Sequence, residues 1–156
     1  IGICFKESGM RISKRTRYGV RLMLELALNY NNKPLSVSVI GENEQISPKF
    51  LSQIIIPLKG AGLILSIRGA HGGYVLSRAP EEIRLFEIYQ VLEGDSSLVE
   101  CVHDRTVCDR VTTCVVSRVW GGLSSMVEVN LKSITLKDLV TDAEKLTAQM
   151  TPIYQI

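Results

Sequence analysis

A glycine-rich stretch at residues 69–73, GAHGG, limits the fold of this chain more than any other segment. Residues 63–68 before it and 74–77 after it have the composition of short strands. Three glycines in five residues are typical of a tight turn, and they can bring backbone close to another surface. The sequence therefore predicts a β-hairpin with Arg68 and His71 at its tip.

Three helices are predicted ahead of this hairpin. The first begins near Ser13, a short one covers residues 36–44, and Ser47-Pro48 supplies the favoured N-cap and first residue of a third that ends at 60–62. The apolar residues expected to face the core are Val20, Met23, Leu24, Ala27 and Leu28 in the first helix, Val37, Val39 and Ile40 in the second, and Phe50, Leu51, Ile54, Ile55 and Leu58 in the third. A helix, a helix–turn–helix and a glycine-tipped hairpin, in this order, predict a winged helix–turn–helix.

The C-terminal half is predicted to be helical. We expect a helix at 81–93, a helix of about twenty residues from Val115, and a short helix at 135–140 that starts with a capping box of Thr135 and Asp138. The apolar surface of the long helix is broader than one amphipathic stripe, which favours a dimer interface, although packing on its own chain is the alternative. The fold class is therefore mainly α with a small β-wing, a winged helix–turn–helix domain plus a long dimerisation helix.

These elements give a division of the chain into five parts. They are an N-terminal extension at 1–9, the winged helix–turn–helix domain at 10–94, a cysteine segment at 95–114, the dimerisation helix with the short helix at 115–141, and a tail at 142–156.

Charge is unevenly distributed along the chain. Residues 10–78 hold ten Lys or Arg against three acids, whereas residues 79–156 hold seven against twelve. No acid occurs between Ser47 and Arg78, and the start of the first helix is basic, where a phosphate suits the helix dipole. This distribution indicates that the N-terminal half meets a polyanion, although a solvated surface with clustered charge is the alternative.

Other functional classes are disfavoured by the sequence. No apolar run approaches the roughly 20 residues that cross a bilayer, and no secretory signal is recognisable, so we expect a cytoplasmic protein without a membrane partner. The two histidines lack a catalytic nucleophile partner, no lysine follows the glycines, and no CxxC pair is present. We therefore expect no enzymatic activity.

Three of the four cysteines lie close together in the chain. Cys101, Cys108 and Cys114 have the spacing C-x6-C-x5-C, whereas Cys4 lies in the extension and is left out of the site. In a reducing compartment such a group is typical of metal or redox chemistry. From spacing alone, an iron–sulfur cluster, a zinc site, oxidisable thiols and inert cysteines all remain open.

Four stretches of the sequence resemble the Rrf-two family of bacterial winged-helix regulators. They are MRISKRTRYGVRLMLELAL, ISPKFLSQIIIPLKGAGLI, SIRGAHGGYVLSRAPEEI and IYQVLEG, and the resemblance runs from Met10 to about Val140. Its RGxxGGY motif, residues 68–74, is quite specific. The resemblance implies a homodimer that binds a pseudo-palindromic operator in double-stranded DNA.

The resemblance also bears on the cysteines. Cluster-bearing members, above all the IscR branch, place three cysteines just ahead of the dimerisation helix, where Cys101, Cys108 and Cys114 lie. It therefore implies that an iron–sulfur cluster, 2Fe–2S or else 4Fe–4S, controls operator affinity. In the IscR and NsrR branches a fourth residue completes the ligand set. The matching positions here hold Ser117 and Arg17, so the fourth ligand of this chain remains unassigned. The candidates are His103, Asp104, Asp109, Ser117, an external thiol and water.

The expected DNA-binding residues form three sets. Recognition-helix residues for the major groove are Lys49, Ser52 and Gln53, residues of the hairpin tip are Arg68 and His71, and residues that position the DNA backbone are Arg11, Lys14, Arg15, Arg17 and Tyr18. In the IscR branch a Glu that discriminates between site classes matches Ser52, so this chain is expected to couple sequence choice to a cluster differently.

Two alternatives remain at this stage. GAHGGYVL and IIIPLKGAGL also resemble the CymR branch closely, which favours a repressor without a cluster, controlled by a partner protein or by thiol oxidation. The second alternative is a thiol- or zinc-based interaction module that does not bind specific DNA.

Overall fold

The computed structural model describes residues 12–150, so the predicted extension at 1–9, Cys4 and Arg11 lie outside the described residues. The element order is α1 (Lys14–Leu28), α2 (Val37–Glu44), α3 (Pro48–Gly60), β1 (Ile64–Ile67), β2 (Gly73–Leu76), a 3-10 turn (Pro80–Glu82), α4 (Leu85–Glu93), α5 (Glu100–His103), α6 (Val115–Ser133) and α7 (Leu136–Met150). Within residues 12–150 the elements are mainly helical with a two-stranded sheet, which confirms the predicted fold class.

Serines begin the first three helices. The side chains of Ser13, Ser36 and Ser47 each accept a hydrogen bond from the backbone N–H three residues later, at 3.1, 3.3 and 3.3 Å. Each bond satisfies one of the backbone donors left free at a helix start. The predicted start of α3 at Ser47-Pro48 is confirmed.

The buried face of α1 differs from the predicted stripe. The buried residues are Thr16, Gly19, Leu22, Met23, Leu26 and Ala27, whereas Leu28 is 49% exposed. A Cβ at Gly19 would lie 2.0 Å from Leu92 Cδ1, so the helix turns its glycine toward α4 to allow this close approach.

In α2 the predicted inward position of Val39 is wrong, since Val39 is exposed. The stripe of α3 is correct at Leu51, Ile54, Ile55 and Leu58, with Phe50 half-buried.

The predicted hairpin is present and is fixed to the segment before α2. β1 and β2 are antiparallel, with Ile64 opposite Leu76 and Ile67 opposite Gly73. Leu35 and Tyr74 exchange two backbone hydrogen bonds, at 3.1 and 2.8 Å. A Cβ at Gly73 would lie 2.4 Å from the carbonyl oxygen of Leu35, so this approach requires glycine. The hairpin glycines are expected to bring backbone close to another surface. For Gly73 that surface is the backbone of Leu35 in the same chain.

The predicted helix at 81–93 begins later than expected. Ile83 and Arg84 are extended, and the backbone N–H of Leu85 donates to the carbonyl of Ile134 at 2.9 Å while that of Leu136 donates to Ile83 at 2.9 Å. This pairing with the segment before α7 occupies the residues that would have formed the first turn of the helix. Because the partner is about fifty residues away, local sequence patterns do not reveal it.

The last described helix is longer than predicted. The capping box is confirmed, since Thr135 N–H donates to Asp138 Oδ2 at 2.8 Å and Asp138 N–H donates to Thr135 Oγ1 at 3.2 Å. The helix then continues to Met150 because residues 141–150 are rich in good helix formers and hold no proline. α7 packs on α1, and Leu136 and Val140 join the same buried cluster as the helix–turn–helix residues.

α6 lies mostly outside this core. Ser124 is its one buried residue in the described part of the chain. Among residues 12–150, no helix is long and apolar enough to span a membrane.

Candidate nucleic-acid interface and cysteine segment

The exposed face of α3 holds the three predicted recognition residues. Lys49, Ser52 and Gln53 are all exposed, and the buried stripe of the helix lies on the opposite side. Ser52 Oγ donates to the carbonyl of Pro48 at 3.0 Å, so its one hydrogen is used inside the helix. The side chains of Lys49 and Gln53 make no hydrogen bond or ion pair within residues 12–150, so both are available for a ligand.

Tyr18 links α1 to α3. Its ring meets that of Phe50 edge to face, with the centroids 5.8 Å apart. Arg21 lies over the Tyr18 ring at 5.4 Å and forms an ion pair with Glu44 at the end of α2, with Nε 2.5 Å from Oε2. Tyr18, predicted to position the DNA backbone, thus also holds the three helices of the helix–turn–helix together. Its interaction with DNA stays a prediction.

The basic side chains of the N-terminal half divide into paired and unpaired groups. Arg21 pairs with Glu44, and Arg78 pairs with Glu87 at 2.7 Å. Within the described residues, Lys14, Arg15 and Arg17 of α1 are exposed and form no ion pair. The charges of Arg21 and Arg78 are thus matched by carboxylates, whereas those of Lys14, Arg15 and Arg17 stay accessible to a phosphate.

The hairpin tip presents two more unpaired side chains. Arg68 and His71 are exposed, and within residues 12–150 neither has a hydrogen bond or an ion pair. Gly69 between them has φ +122°, a conformation that favours glycine. The tip therefore projects a guanidinium away from the domain.

The start of α1 is occupied by a carboxylate of the chain itself. Glu93 Oε2 accepts hydrogen bonds from Ser13 N–H at 3.2 Å, Ser13 Oγ at 2.7 Å and Thr16 Oγ1 at 2.5 Å. The expectation that a phosphate would serve this helix end is therefore wrong, because Glu93 supplies the negative charge that the helix dipole favours. The basic first turn indicated that an anion was needed, but no local signal identified a residue at the end of α4.

The environment of Glu93 stabilises its ionised form. Burial raises the pKa of Glu93, but hydrogen bonds from Thr16 and Ser13 and the charge of Arg15 outweigh that effect, so the pKa lies below the ordinary value. Thr16 is only 2% exposed. Glu93 is thus an ionised residue whose contacts join α4 to α1.

The three clustered cysteines are placed on different local structures. Cys101 lies in α5, Cys108 is exposed in the following segment, and Cys114 is the N-cap of α6. All three are free thiols. Among residues 12–150, no three His, Cys, Asp or Glu side chains form a group that could hold a metal ion. The three thiols are therefore not gathered around one point in the described residues.

Two candidates for a fourth ligand have other partners. His103 Nδ1 lies 3.0 Å from Asp95 Oδ2, and the Asp104 carboxylate accepts from Thr106 Oγ1 at 2.7 Å and Thr106 N–H at 2.8 Å. These bonds from Thr106 lower the pKa of Asp104. A third candidate, Ser117, lines a cavity of about 340 Å³ together with Cys101.

That cavity lies between α5 and the start of α6. Arg105 and Arg118 also line it, so its wall is polar and carries positive charge next to a thiol. Asp109, the remaining local candidate, is exposed and does not line it.

The cysteine segment is attached to the fold near its start. Ser124 Oγ accepts a hydrogen bond from Leu98 N–H at 3.0 Å and donates to the carbonyl of Trp120 at 2.9 Å. The segment begins directly after Gly94, and the residue before Gly94 is Glu93, which contacts α1. The start of the cysteine segment therefore lies next to a contact to α1 and holds a contact to α6, and the three cysteines come after both.

α6 presents a continuous apolar surface to solvent. Its exposed apolar residues include Val115 at 73% exposure and Met126 at 69%, and the set is Val115, Val116, Val119, Trp120, Leu123, Met126 and Val129. Packing on its own chain, the alternative to a dimer interface, does not cover this face in the described residues. A patch of this kind marks an interaction surface.

Comparisons with known proteins place this geometry in context. A family described as "Rrf2: Iron-dependent Transcriptional regulator" matches residues 12–142. The chain is 39% identical over 138 residues to the HTH-type transcriptional regulator CymR of Bacillus subtilis, which covers 87% of this chain and 95% of the relative. It is 33% identical over 135 residues to the HTH-type transcriptional regulator IscR of Aliivibrio salmonicida, and the match covers 86% of this chain and 80% of that relative.

A solved structure agrees with these sequence matches. The IscR of T. potens superposes with a TM-score of 0.74 at 36% identity, covering 94% of this chain and 96% of that one.

Proposed function

The chain belongs to the Rrf2 family and is a DNA-binding transcriptional regulator rather than an enzyme, and we propose that it is a cytoplasmic homodimer that reads a pseudo-palindromic operator with α3 and the hairpin. One observation carries the proposal. The exposed face of α3 holds Lys49, Ser52 and Gln53 in a stretch without acids, and Arg68 projects unpaired from the adjoining hairpin. Cations and hydrogen-bonding side chains without internal partners are what DNA recognition requires.

The proposed contacts divide into those that read bases and those that position the protein. Gln53 is suited to pair with both the N6 and N7 groups of adenine in the major groove, and Lys49 is suited to guanine or phosphate. Arg68, with His71 beside it, enters the minor groove, whose negative potential attracts a guanidinium. These contacts give sequence preference.

The remaining cations position the protein on the DNA. The unpaired side chains of Lys14, Arg15 and Arg17 contact phosphates, and we include Arg11 in this set from its sequence position. Tyr18 completes the set through its hydroxyl group. Such contacts supply affinity that depends strongly on salt.

A second copy of the chain is the proposed occupant of the α6 surface. Burying Val119, Trp120 and Leu123 against the same residues of a partner removes apolar area from water, which favours association. The two-fold symmetry of such a dimer presents two recognition helices to two inverted half-sites.

For control of DNA binding we propose the cysteine segment, and two chemistries remain as candidates. The position of the three cysteines ahead of α6 and the IscR relatives favour a cluster, 2Fe–2S or 4Fe–4S, held by Cys101, Cys108 and Cys114. Because the three thiols are not gathered in the described residues, this candidate requires residues 95–114 to rearrange and bring them together. The exposed Cys108 thiol and the CymR relative favour the other candidate, control without a cluster by thiol oxidation or a partner protein.

Metal analysis separates the two. The protein is purified without oxygen, its visible absorption is recorded, and iron, sulfide and zinc are measured. Near-equal iron and sulfide, lost in Cys108→Ser but kept in Cys4→Ser, supports the cluster. A colourless protein after anaerobic reconstitution contradicts the cluster and leaves thiol control. Zinc alone contradicts both, since it makes the cysteines a structural site.

A further inference from the structure

An isoleucine lies on the recognition face of α3 without a packing partner. Ile56 is 70% exposed, while Ile54, Ile55 and Leu58 around it belong to the core. α3 therefore has a complete buried stripe that does not include Ile56. Ile56 is therefore a large apolar side chain that stays accessible to a ligand on this face.

Its position relative to the polar recognition residues is specific. Ile56 follows Lys49 by seven residues, Ser52 by four and Gln53 by three. Positions i, i+3, i+4 and i+7 share one face of a helix. Four positions with this spacing read the major groove in the homeodomain recognition helix. Ile56 is thus the fourth residue of the face that meets base edges.

We propose that Ile56 selects thymine by contacting its C5-methyl group in the major groove. This inference rests on the proposed reading of DNA by α3. Thymine carries the one methyl group that standard base pairs display in that groove, and apolar side chains recognise it by contact. Isoleucine offers no hydrogen bond, so no other base edge gives it a matching partner.

Neighbouring residues favour the same reading. The hydroxyl hydrogen of Ser52 is used by Pro48, which leaves Lys49, Gln53 and Ile56 as the residues of this face best able to discriminate between bases. Three residues of helix advance about 4.5 Å, close to the spacing of adjacent base pairs. The thymine that Ile56 contacts therefore lies within one or two base pairs of the adenine that Gln53 reads.

Deoxyuridine, which lacks only the methyl group of thymidine, tests this directly. A binding sequence is first selected from random duplex DNA with the full chain, and each thymine of a half-site is then replaced in turn. Binding is measured by fluorescence anisotropy for the wild-type protein, Ile56→Ser, Ile56→Ala and Leu28→Ser. Leu28, an exposed leucine at the end of α1, is the matched control.

Among the thymines of a half-site, we expect one whose replacement weakens wild-type binding about fourfold, which is the effect of one buried methyl group. Ile56→Ser should bind the two DNAs equally, and Leu28→Ser should behave as the wild type. Ile56→Ala keeps one methyl group and should discriminate less than the wild type, because its side chain is shorter. Discrimination that persists in both Ile56 variants overturns the inference, as does a wild type that is indifferent to every replacement while still binding its selected sequence. A wild type that selects no sequence overturns the proposed function and, with it, this inference.

Discussion

Thr16 Oγ1 donates a 2.5 Å hydrogen bond to Glu93 Oε2, and this contact joins the first turn of α1 to the last residue of α4. The two residues are 77 positions apart in the chain. Glu93 is followed directly by Gly94 and the cysteine segment, and Thr16 lies between the unpaired cations Arg15 and Arg17. A rearrangement of the cysteine segment would therefore have a short physical route to the start of α1, where we propose that Lys14, Arg15 and Arg17 contact phosphates.

The first prediction concerns the charge of Glu93. Its pKa is lowered in the folded state, so its contribution to stability is present above the unfolded pKa of about 4.3 and is lost as pH falls through the folded pKa. Glu93→Gln should lower the free energy of unfolding by roughly 0.3–1 kcal/mol at pH 7, the typical effect of losing a negative charge beside a helix N-terminus. Urea titrations at pH 7 and pH 3 measure it.

The same titrations need a control. Glu81→Gln changes an exposed carboxylate that accepts no hydrogen bond in the described residues, and it should leave the free energy of unfolding unchanged. The difference between wild type and Glu93→Gln should shrink toward pH 3. A difference that is constant over this range would mean that the charge of Glu93 does not stabilise α1.

The second prediction separates base reading from phosphate contact. Arg68→Ala should weaken operator binding and relax sequence preference, because we propose that the guanidinium at the hairpin tip reads the minor groove. Arg15→Ala should weaken binding to all sequences and reduce the slope of log affinity against log salt by about one. Gel-shift titrations against the selected operator and a scrambled duplex measure both. Equal loss of specificity in the two variants would refute this division.

The third prediction concerns the wing backbone. Gly73→Ala places a Cβ 2.4 Å from the carbonyl of Leu35, so the hairpin must move away from the segment before α2. We expect weaker operator binding although no cation is removed. Gly60→Ala, where a Cβ meets nothing within 4 Å, should bind as the wild type. Wild-type affinity in Gly73→Ala would show that the attachment at Leu35 does not position the wing.

The fourth prediction concerns the apolar face of α6. Val119→Glu should convert a dimer to a monomer in sedimentation experiments, because association would bury an unpaired charge. Operator affinity should fall with it, while the helical circular dichroism is kept. Gln90→Glu adds the same charge at an exposed position of α4 and should remain dimeric. A dimeric Val119→Glu protein would exclude this face as the interface.

The sequence predicts a structural feature correctly where that feature depends only on residues close together in the chain. Ser47 and Pro48 start α3 because a cap and a first-turn proline act within one helical turn, and the same is true of Thr135 and Asp138. Lys49, Ser52 and Gln53 are brought to one face by helical spacing alone.

Contacts between distant segments could not be predicted in this way. The α1 core face turns toward Leu92 through Gly19, residues 83–84 extend because they pair with residues 134–136, and Glu93 occupies the start of α1. Which arginines form ion pairs also depends on distant carboxylates, since Arg21 pairs with Glu44 of α2 and Arg78 pairs with Glu87 of α4. Each of these features needs a partner whose position only the tertiary structure defines.

Selection of bound sequences from random duplex DNA tests the central claim, that a dimer reads DNA with α3 and the wing. The account predicts enrichment of one motif with two inverted half-sites, their centres about one helical turn or a multiple of it apart. The triple variant Lys49→Ala, Gln53→Ala, Arg68→Ala should then enrich nothing. Enrichment of a single undivided site, or of the same motif by the triple variant, would contradict the account.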